Sequence, residues 1–136
     1  MNNSVIDSIK INTEPDCIAE IEKFADVFFQ RVSISQEMYG KVYLALIEAV
    51  ENAMSHGNKL DEQKSISVDF EKNDEAIVIT VSDDGLGFDY KNLPNPTHPD
   101  NLEKPDGRGV FIISNLSDEM EFNDVGNELK LTFNLN

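Results

Sequence analysis

The sequence predicts an α+β fold, a two-layer α/β sandwich with helices packed on one face of a mixed, mostly antiparallel sheet. Three observations predict it. Stretches of period two open and close the chain, two segments of helical period follow the first strand directly, and a short third helix separates two hairpins. The resulting order is β-α-α-β-β-loop-α-β-β, that of helices laid on a sheet built mainly from hairpins.

Each element has its own signal. Ile9 and Ile11 alternate with polar neighbours in "DSIKIN", as a half-buried strand does. "TEPD" then opens a helix, with Thr13 as its cap and Pro15 in the first turn, where the missing N–H costs little. Ile18, Ile21, Ala25 and Phe28 or Phe29 recur at helical spacing from about Glu14 to Val32 and lay one apolar stripe on the core. Ser33 to Gln36 reads as a capping box for a second helix, roughly Gln36 to His56. Its core side carries Tyr39, Val42, Tyr43, Leu46, Ala49, Val50 and Ala53, and Gly57 is placed to supply a left-handed stop.

Beyond that helix, Ile66, Val68 and Phe70 and then Ile77, Ile79 and Val81 alternate on either side of "EKNDEA", an antiparallel hairpin. Asp89 to Asp106 holds Pro94, Pro96, Pro99 and Pro105 and almost no apolar residues, the mark of a functional or disordered loop. "GRGVFIISNLSD" is a short helix opened by glycines. Met120 and Phe122, then "NDVGN", then Leu129, Leu131, Phe133 and Leu135, form the closing hairpin.

Length and charge narrow the function. A chain of 136 residues is one domain, taken as 1–136. Its 40% hydrophobic and 27% charged residues are those of a soluble globular protein. Asp and Glu number 26 against 11 Lys and Arg, a net charge of −15 that repels a nucleic-acid backbone and suits a basic protein partner. The single cysteine, Cys17, has no internal disulfide partner, and Asp7, Glu14, Asp16 and Glu20 occupy the first 20 residues where a leader would be basic and then apolar. A cytoplasmic location is expected. No apolar run reaches the ~18 residues that span a bilayer, so no membrane is expected as a partner.

Three short stretches carry chemistry. In "LIEAVENAMSHG", Glu48, Asn52 and His56 recur every four residues and form a polar stripe beside the apolar one. A solvated helix face would look the same. However, Ala45, Ala49 and Ala53 flank the stripe with small side chains, and asparagine is a poor residue for a helix interior. A hard cation such as Mg²⁺ takes oxygen ligands and keeps waters while bridging phosphates, so Asn52 can be its one protein ligand, which leaves Glu48 free as a base. His56 is expected to cap the helix end.

In "SDDGLGFD", Asp83, Gly85 and Gly87 follow an apolar strand. They could form an ordinary turn. They could equally place a carboxylate against an exocyclic amino group, with the glycines letting backbone approach a flat base. In "DGRGV", Gly107 and Gly109 open a helix whose N–H groups can meet a phosphate, and a glycine-rich hinge would share the pattern. Arg108, between them, is one of only two arginines in the chain.

In this order and spacing the motifs resemble the GHKL superfamily of histidine-kinase, gyrase and Hsp90-type ATPase domains, with its Bergerat fold. "EAVENAMSHG" looks like the N-box, "DDGLGF" like the first glycine box, "GRGVFII" like the short second glycine box, and the loop at about 89–106 corresponds to the ATP lid. Within the superfamily the chain is most similar to bacterial anti-sigma-factor serine/threonine kinases. The resemblance implies ATP and Mg²⁺ as cofactors, a sigma factor and a STAS-type anti-sigma factor antagonist as partners, and a homodimer, for which a free sheet edge and the first helix offer surfaces. It implies that Glu48 is the general base, Asn52 the Mg²⁺ ligand and Asp83 the adenine reader. Gly85, Gly87, Gly107 and Gly109 would flank the nucleotide, and Arg108 would face the phosphates or the docked acceptor. Where the family commonly has a Gly-Thr pair supporting the aspartate, this chain has Gly126, Asn127 and Glu128, so Asn127 is expected to take over that hydrogen bond.

Two other functions compete. One is a binding module whose nucleotide state switches a protein partner without phosphotransfer. The other is a histidine-kinase-type catalytic domain acting in trans, against which the lack of an upstream dimerisation helix counts.

Overall fold

A computed structural model describes residues 4–85 and 108–135. The elements are β1 (Val5–Asn12), α1 (Cys17–Gln30), α2 (Gln36–Asn52) running into a π-helical turn (Ala53–Gly57), β2 (Ser65–Lys72), β3 (Ala76–Asp83), α3 (Arg108–Leu116), β4 (Glu119–Phe122) and β5 (Glu128–Asn134). Among the described residues the strands and helices follow the predicted order. The five strands form one sheet in the order β1-β2-β3-β5-β4. The four pairings among the described strands are antiparallel, consistent with the predicted α+β sandwich.

Strand pairing follows the apolar alternation, because a slip of one residue would turn every apolar side chain to solvent. One row crosses the whole sheet: Ile9 faces Val68, Val68 faces Val81, Val81 faces Leu129, and Leu129 faces Phe122. The helices cover this face. Cys17, Ile21, Ala25, Phe28 and Phe29 of α1, Val42, Ala45, Leu46, Ala49 and Val50 of α2, and Ile113 of α3 are buried with Ile66, Val68, Phe70, Ile77, Ile79, Leu131 and Phe133 of the sheet. Phe24, Phe28 and Phe29 meet Phe70 at ring separations of 5.4, 5.2 and 6.1 Å and bind α1 to the sheet.

The helix starts differ from the sequence reading. Thr13 does not cap α1, which begins at Cys17 with Pro15 outside its first turn. Instead Thr13 is buried, its N–H and hydroxyl both donating to the Lys64 carbonyl at 2.9 and 3.0 Å. The buried hydroxyl is satisfied twice, since it also accepts from Asn58 Nδ2 at 2.8 Å. Ser35, not Ser33, caps α2 by accepting from the Met38 N–H at 3.1 Å.

The end of α2 differs as well. Its last turn widens, and the Asn58 N–H donates to the Ala53 carbonyl at 2.7 Å across a π-type ring. Gly57 is not left-handed. The positive φ angles near this end belong to Lys59 (52°) and Leu60 (61°).

Candidate functional site

The pleat of β3 aims Ile77, Ile79 and Val81 at the helices, and Asp83 is the next residue of that series. A carboxylate therefore stands at the margin of the core, opposite fully buried Ile66. Burial pushes the Asp83 carboxyl above the usual range. The Gly85 N–H and the Lys64 charge oppose the shift, while the neighbouring charge of Asp84 adds to it.

Two glycines make room for this carboxylate. A Cβ on Gly57 would lie 2.2 Å from Asp83 Oδ2, and one on Gly85 would lie 2.1 Å from the Gly57 carbonyl oxygen. The π turn and the loop after β3 thus touch only because both positions lack side chains. Hydrogen bonds then fix the loop. The Gly85 N–H donates to Asp83 Oδ1 at 2.8 Å, and the Asp83 N–H donates to the Asn127 carbonyl at 2.9 Å.

Asn127 reaches the loop, but not as the family's threonine would. Its Nδ2 donates to the Gly85 carbonyl at 3.1 Å, and its Oδ1 accepts from Asn123 Nδ2 at 2.6 Å. With its amide so engaged, Asn127 supports the backbone around Asp83 and gives the carboxylate no hydrogen bond.

Over these residues lies a shallow, solvent-open cleft. Ala49, Ala53, Val81 and Leu129 make its walls largely apolar, and Asn52, Asp83 and Asn127 place a few polar groups among them. Such a cleft suits a flat ring that presents an amino edge to a carboxylate. All three alanines that flank the polar stripe are buried, and Ala49 and Ala53 also line the cleft.

The other end of the stripe meets α3. A Cβ on Gly109 would come within 3.0 Å of Asn52 Oδ1, 3.1 Å of Asn52 Nδ2 and 3.2 Å of Glu48 Oε2. Glu48, Asn52 and Gly109, predicted from two separate motifs, are thus brought together. Burial raises the Glu48 carboxyl above its ordinary value, and the charge of Glu51 adds to the shift. A carboxylate raised in this way is a better proton acceptor. Among the described residues no three His, Cys, Asp or Glu side chains gather around a metal position. A cation beside the Asn52 oxygen would complete its shell with ligand oxygens and water.

Gly87, Gly107 and the loop at 89–106 lie outside the described residues, as do the side chains of His56 and Arg108. The other arginine, Arg31, pairs with Asp7 at 2.9 Å between the end of α1 and β1.

Sequence reasoning passed over the residues behind the site. Asn58 is fully buried. Its Nδ2 donates to Thr13 Oγ1 at 2.8 Å and to the Ser65 carbonyl at 2.9 Å, and its Oδ1 accepts from the Asp84 N–H at 2.9 Å. Asp84 Oδ2 accepts from the Ser65 N–H and hydroxyl at 2.8 and 2.9 Å, which holds its carboxyl below the usual range. In "SHGNK" the asparagine looks like a turn residue, and no local signal marks it as buried.

Residues 11–133 match the histidine kinase-like ATPase domain family. The chain belongs to that family. As a member of it, the protein binds ATP. A serine-protein kinase RsbW of Oceanobacillus iheyensis is 25% identical over 130 residues, 91% of this chain and 82% of that protein. The RsbW of Bacillus cereus is 25% identical over 119 residues, 83% and 74% of the two chains. An anti-sigma F factor of Clostridium perfringens is 31% identical over 111 residues, 76% and 78% of the two chains. The ATPase-domain match runs from the end of β1 almost to the end of β5, so every site residue described above falls within it.

Proposed function

We propose that this chain is an ATP-dependent serine/threonine protein kinase and anti-sigma factor, which phosphorylates an anti-sigma factor antagonist of the STAS type and sequesters a sigma factor. One observation carries the reading: Asn52 lines the cleft that holds Asp83 and also stands beside Glu48 under Gly109, so one residue of α2 joins the base reader on β3 to the proton acceptor one helical turn away. The names of the relatives, serine-protein kinase RsbW and anti-sigma F factor, support the choice of activity and partners.

Asp83 accepts a hydrogen bond from the adenine amino group. Gly85, Gly87, Gly107 and Gly109 flank the nucleotide, and Asn127 holds the loop that follows Asp83. Asn52 Oδ1 would hold Mg²⁺, which when bound neutralises phosphate oxygens. Glu48 takes the proton of the acceptor hydroxyl as that oxygen bonds to the γ-phosphorus, and the bond from phosphorus to the bridging oxygen breaks to release ADP. Arg108 faces the transferred phosphate or the docked acceptor. The single domain, 1–136, uses its loop at about 89–106 as the ATP lid and works in the cytoplasm. Support for a homodimer comes from the edge position of β1 and from Ile6 and Val27, exposed on β1 and α1. Sedimentation tests that point directly.

The place of Glu48 beside Asn52, under Gly109, supports transfer over a mere nucleotide switch. Glu48→Gln is expected to keep ATP binding and lower the rate of phosphotransfer to the antagonist by ~10²-fold to 10⁴-fold. Single-turnover transfer of labelled phosphate measures it. Label reaching the antagonist at the wild-type rate would remove Glu48 from the mechanism, and no label from the wild type would leave only the switch.

A further inference from the structure

We infer that Asn58 is a positioning residue for Asp83, and that with Ser65 and Asp84 it sets the selectivity of the cleft for adenine. The inference rests on the reading of Asp83 as the base contact.

A fully buried asparagine is costly unless each polar atom is used, and here each is. Its three partners come from three separate pieces of chain. Thr13 follows β1, Ser65 begins β2, and Asp84 follows β3. Only the last of these bonds touches the site. It fixes the peptide group between Asp83 and Asp84, and the Asp84 carboxylate, anchored on the Ser65 N–H and hydroxyl, locks the same residue from its side chain.

The peptide group before Asp83 is fixed independently, by the Asp83 N–H on the Asn127 carbonyl. Asp83 is thus clamped on both sides, by Asn58 behind and Asn127 in front. Between the clamps, the Gly85 N–H on Oδ1 and the close approach of Gly57 leave the carboxylate one orientation. Oδ2 accepts no hydrogen bond from the described residues and remains as an acceptor for a ligand. The π turn delivers Asn58 to this position, since the Asn58 N–H bonds the Ala53 carbonyl in the wide ring.

A positioning role differs from a purely structural one in what it does to base discrimination. Loss of Asn58 frees the peptide after Asp83 and blunts the one contact that reads the exocyclic amino group, while the phosphate end of the site is untouched. The probes are ATP and inosine triphosphate, which carries a carbonyl oxygen in place of that amino group. Calorimetric titration of each, in the full chain with Mg²⁺, gives the ratio of the two dissociation constants.

Asn58→Ala is expected to lower the preference for ATP by about tenfold while inosine triphosphate binds within about twofold of wild type. Ser65→Ala removes only the hydroxyl bond to Asp84, leaves the backbone bond, and is expected to lower the preference by roughly threefold. It carries the test alone if Asn58→Ala does not fold. An unchanged ratio in these variants, or an equal loss of both affinities, overturns the inference. Asp83→Asn separates the two failures. If it lowers the ratio while the Asn58 and Ser65 variants do not, only the positioning role falls; if it too leaves the ratio unchanged, the adenine reading of Asp83 falls, and the inference with it.

Discussion

A single methyl group at position 57 is expected to cost this protein most of its grip on adenine. In Gly57→Ala the new Cβ would stand 2.2 Å from Asp83 Oδ2 and 2.3 Å from Cγ. Ordinary van der Waals contact begins at 3.4 Å, so the carboxylate must retreat by more than 1 Å. Retreat draws Oδ1 off the Gly85 N–H, now 2.8 Å away, and moves Oδ2 out of reach of a docked amino group. Hydrogen bonds to charged groups are worth about 1.5–3 kcal/mol, which corresponds to a loss of ATP affinity on the order of ten- to a hundredfold. Backbone strain adds nothing, because Gly57 does not have a positive φ. Helix propensity alone would even favour alanine by roughly 1 kcal/mol.

Asparagine makes the test sharper. A left-handed helix stop accepts asparagine almost as readily as glycine, whereas a site of close approach rejects both asparagine and alanine. Calorimetric titration of ATP into the wild type, Gly57→Ala and Gly57→Asn decides between them. Wild-type affinity in the asparagine variant would refute the packing argument, and wild-type affinity in both would also detach Asp83 from the nucleotide.

Two further outcomes follow from the same geometry. Asp83→Asn should trade function for stability. The folded-state carboxyl is raised by burial, so the stability linked to its protonation is present below the ordinary carboxylate range and is lost as pH rises through the folded value. At neutral pH the charge is a burden, and the amide variant should melt a few degrees higher while binding ATP about tenfold more weakly. Calorimetric melts at pH 7 and near pH 3 check the sign, since the gain must vanish in acid. Gly109→Ala places a methyl 3.0 to 3.2 Å from Asn52 and Glu48, which must yield by only a few tenths of an ångström. Its melting temperature should stay near wild type while phosphotransfer falls about tenfold, as expected when a catalytic geometry is displaced by less than an ångström. An unchanged rate would show that α3 does not press on Glu48 and Asn52.

The elements were legible because their signals are local. Period-two alternation in β2, β3 and β5 and the apolar stripes of α1 and α2 arise from burying one face of each element, and that burial is written in the order of residue types. The pairing of Glu48 with Asn52 was legible for the same reason, four residues being one helical turn. Caps were less so. Thr13 and Ser33 have the chemistry of a helix start, but the chain uses Thr13 to satisfy a carbonyl 51 residues away and uses Ser35 as the cap of α2.

By itself, then, the order of residues determined the strands and helices, the inward series ending at Asp83, and the polar stripe on α2. Only the folded chain decided that Gly57 serves contact rather than a left-handed turn, that Gly109 lies over Glu48 and Asn52, and that Asn58 is buried behind Asp84. The physical reason is separation along the chain. Contacts across 26 residues, as between Asn58 and Asp84, form only when sheet register and helix packing have placed both partners, and neither partner's neighbours carry a trace of the other.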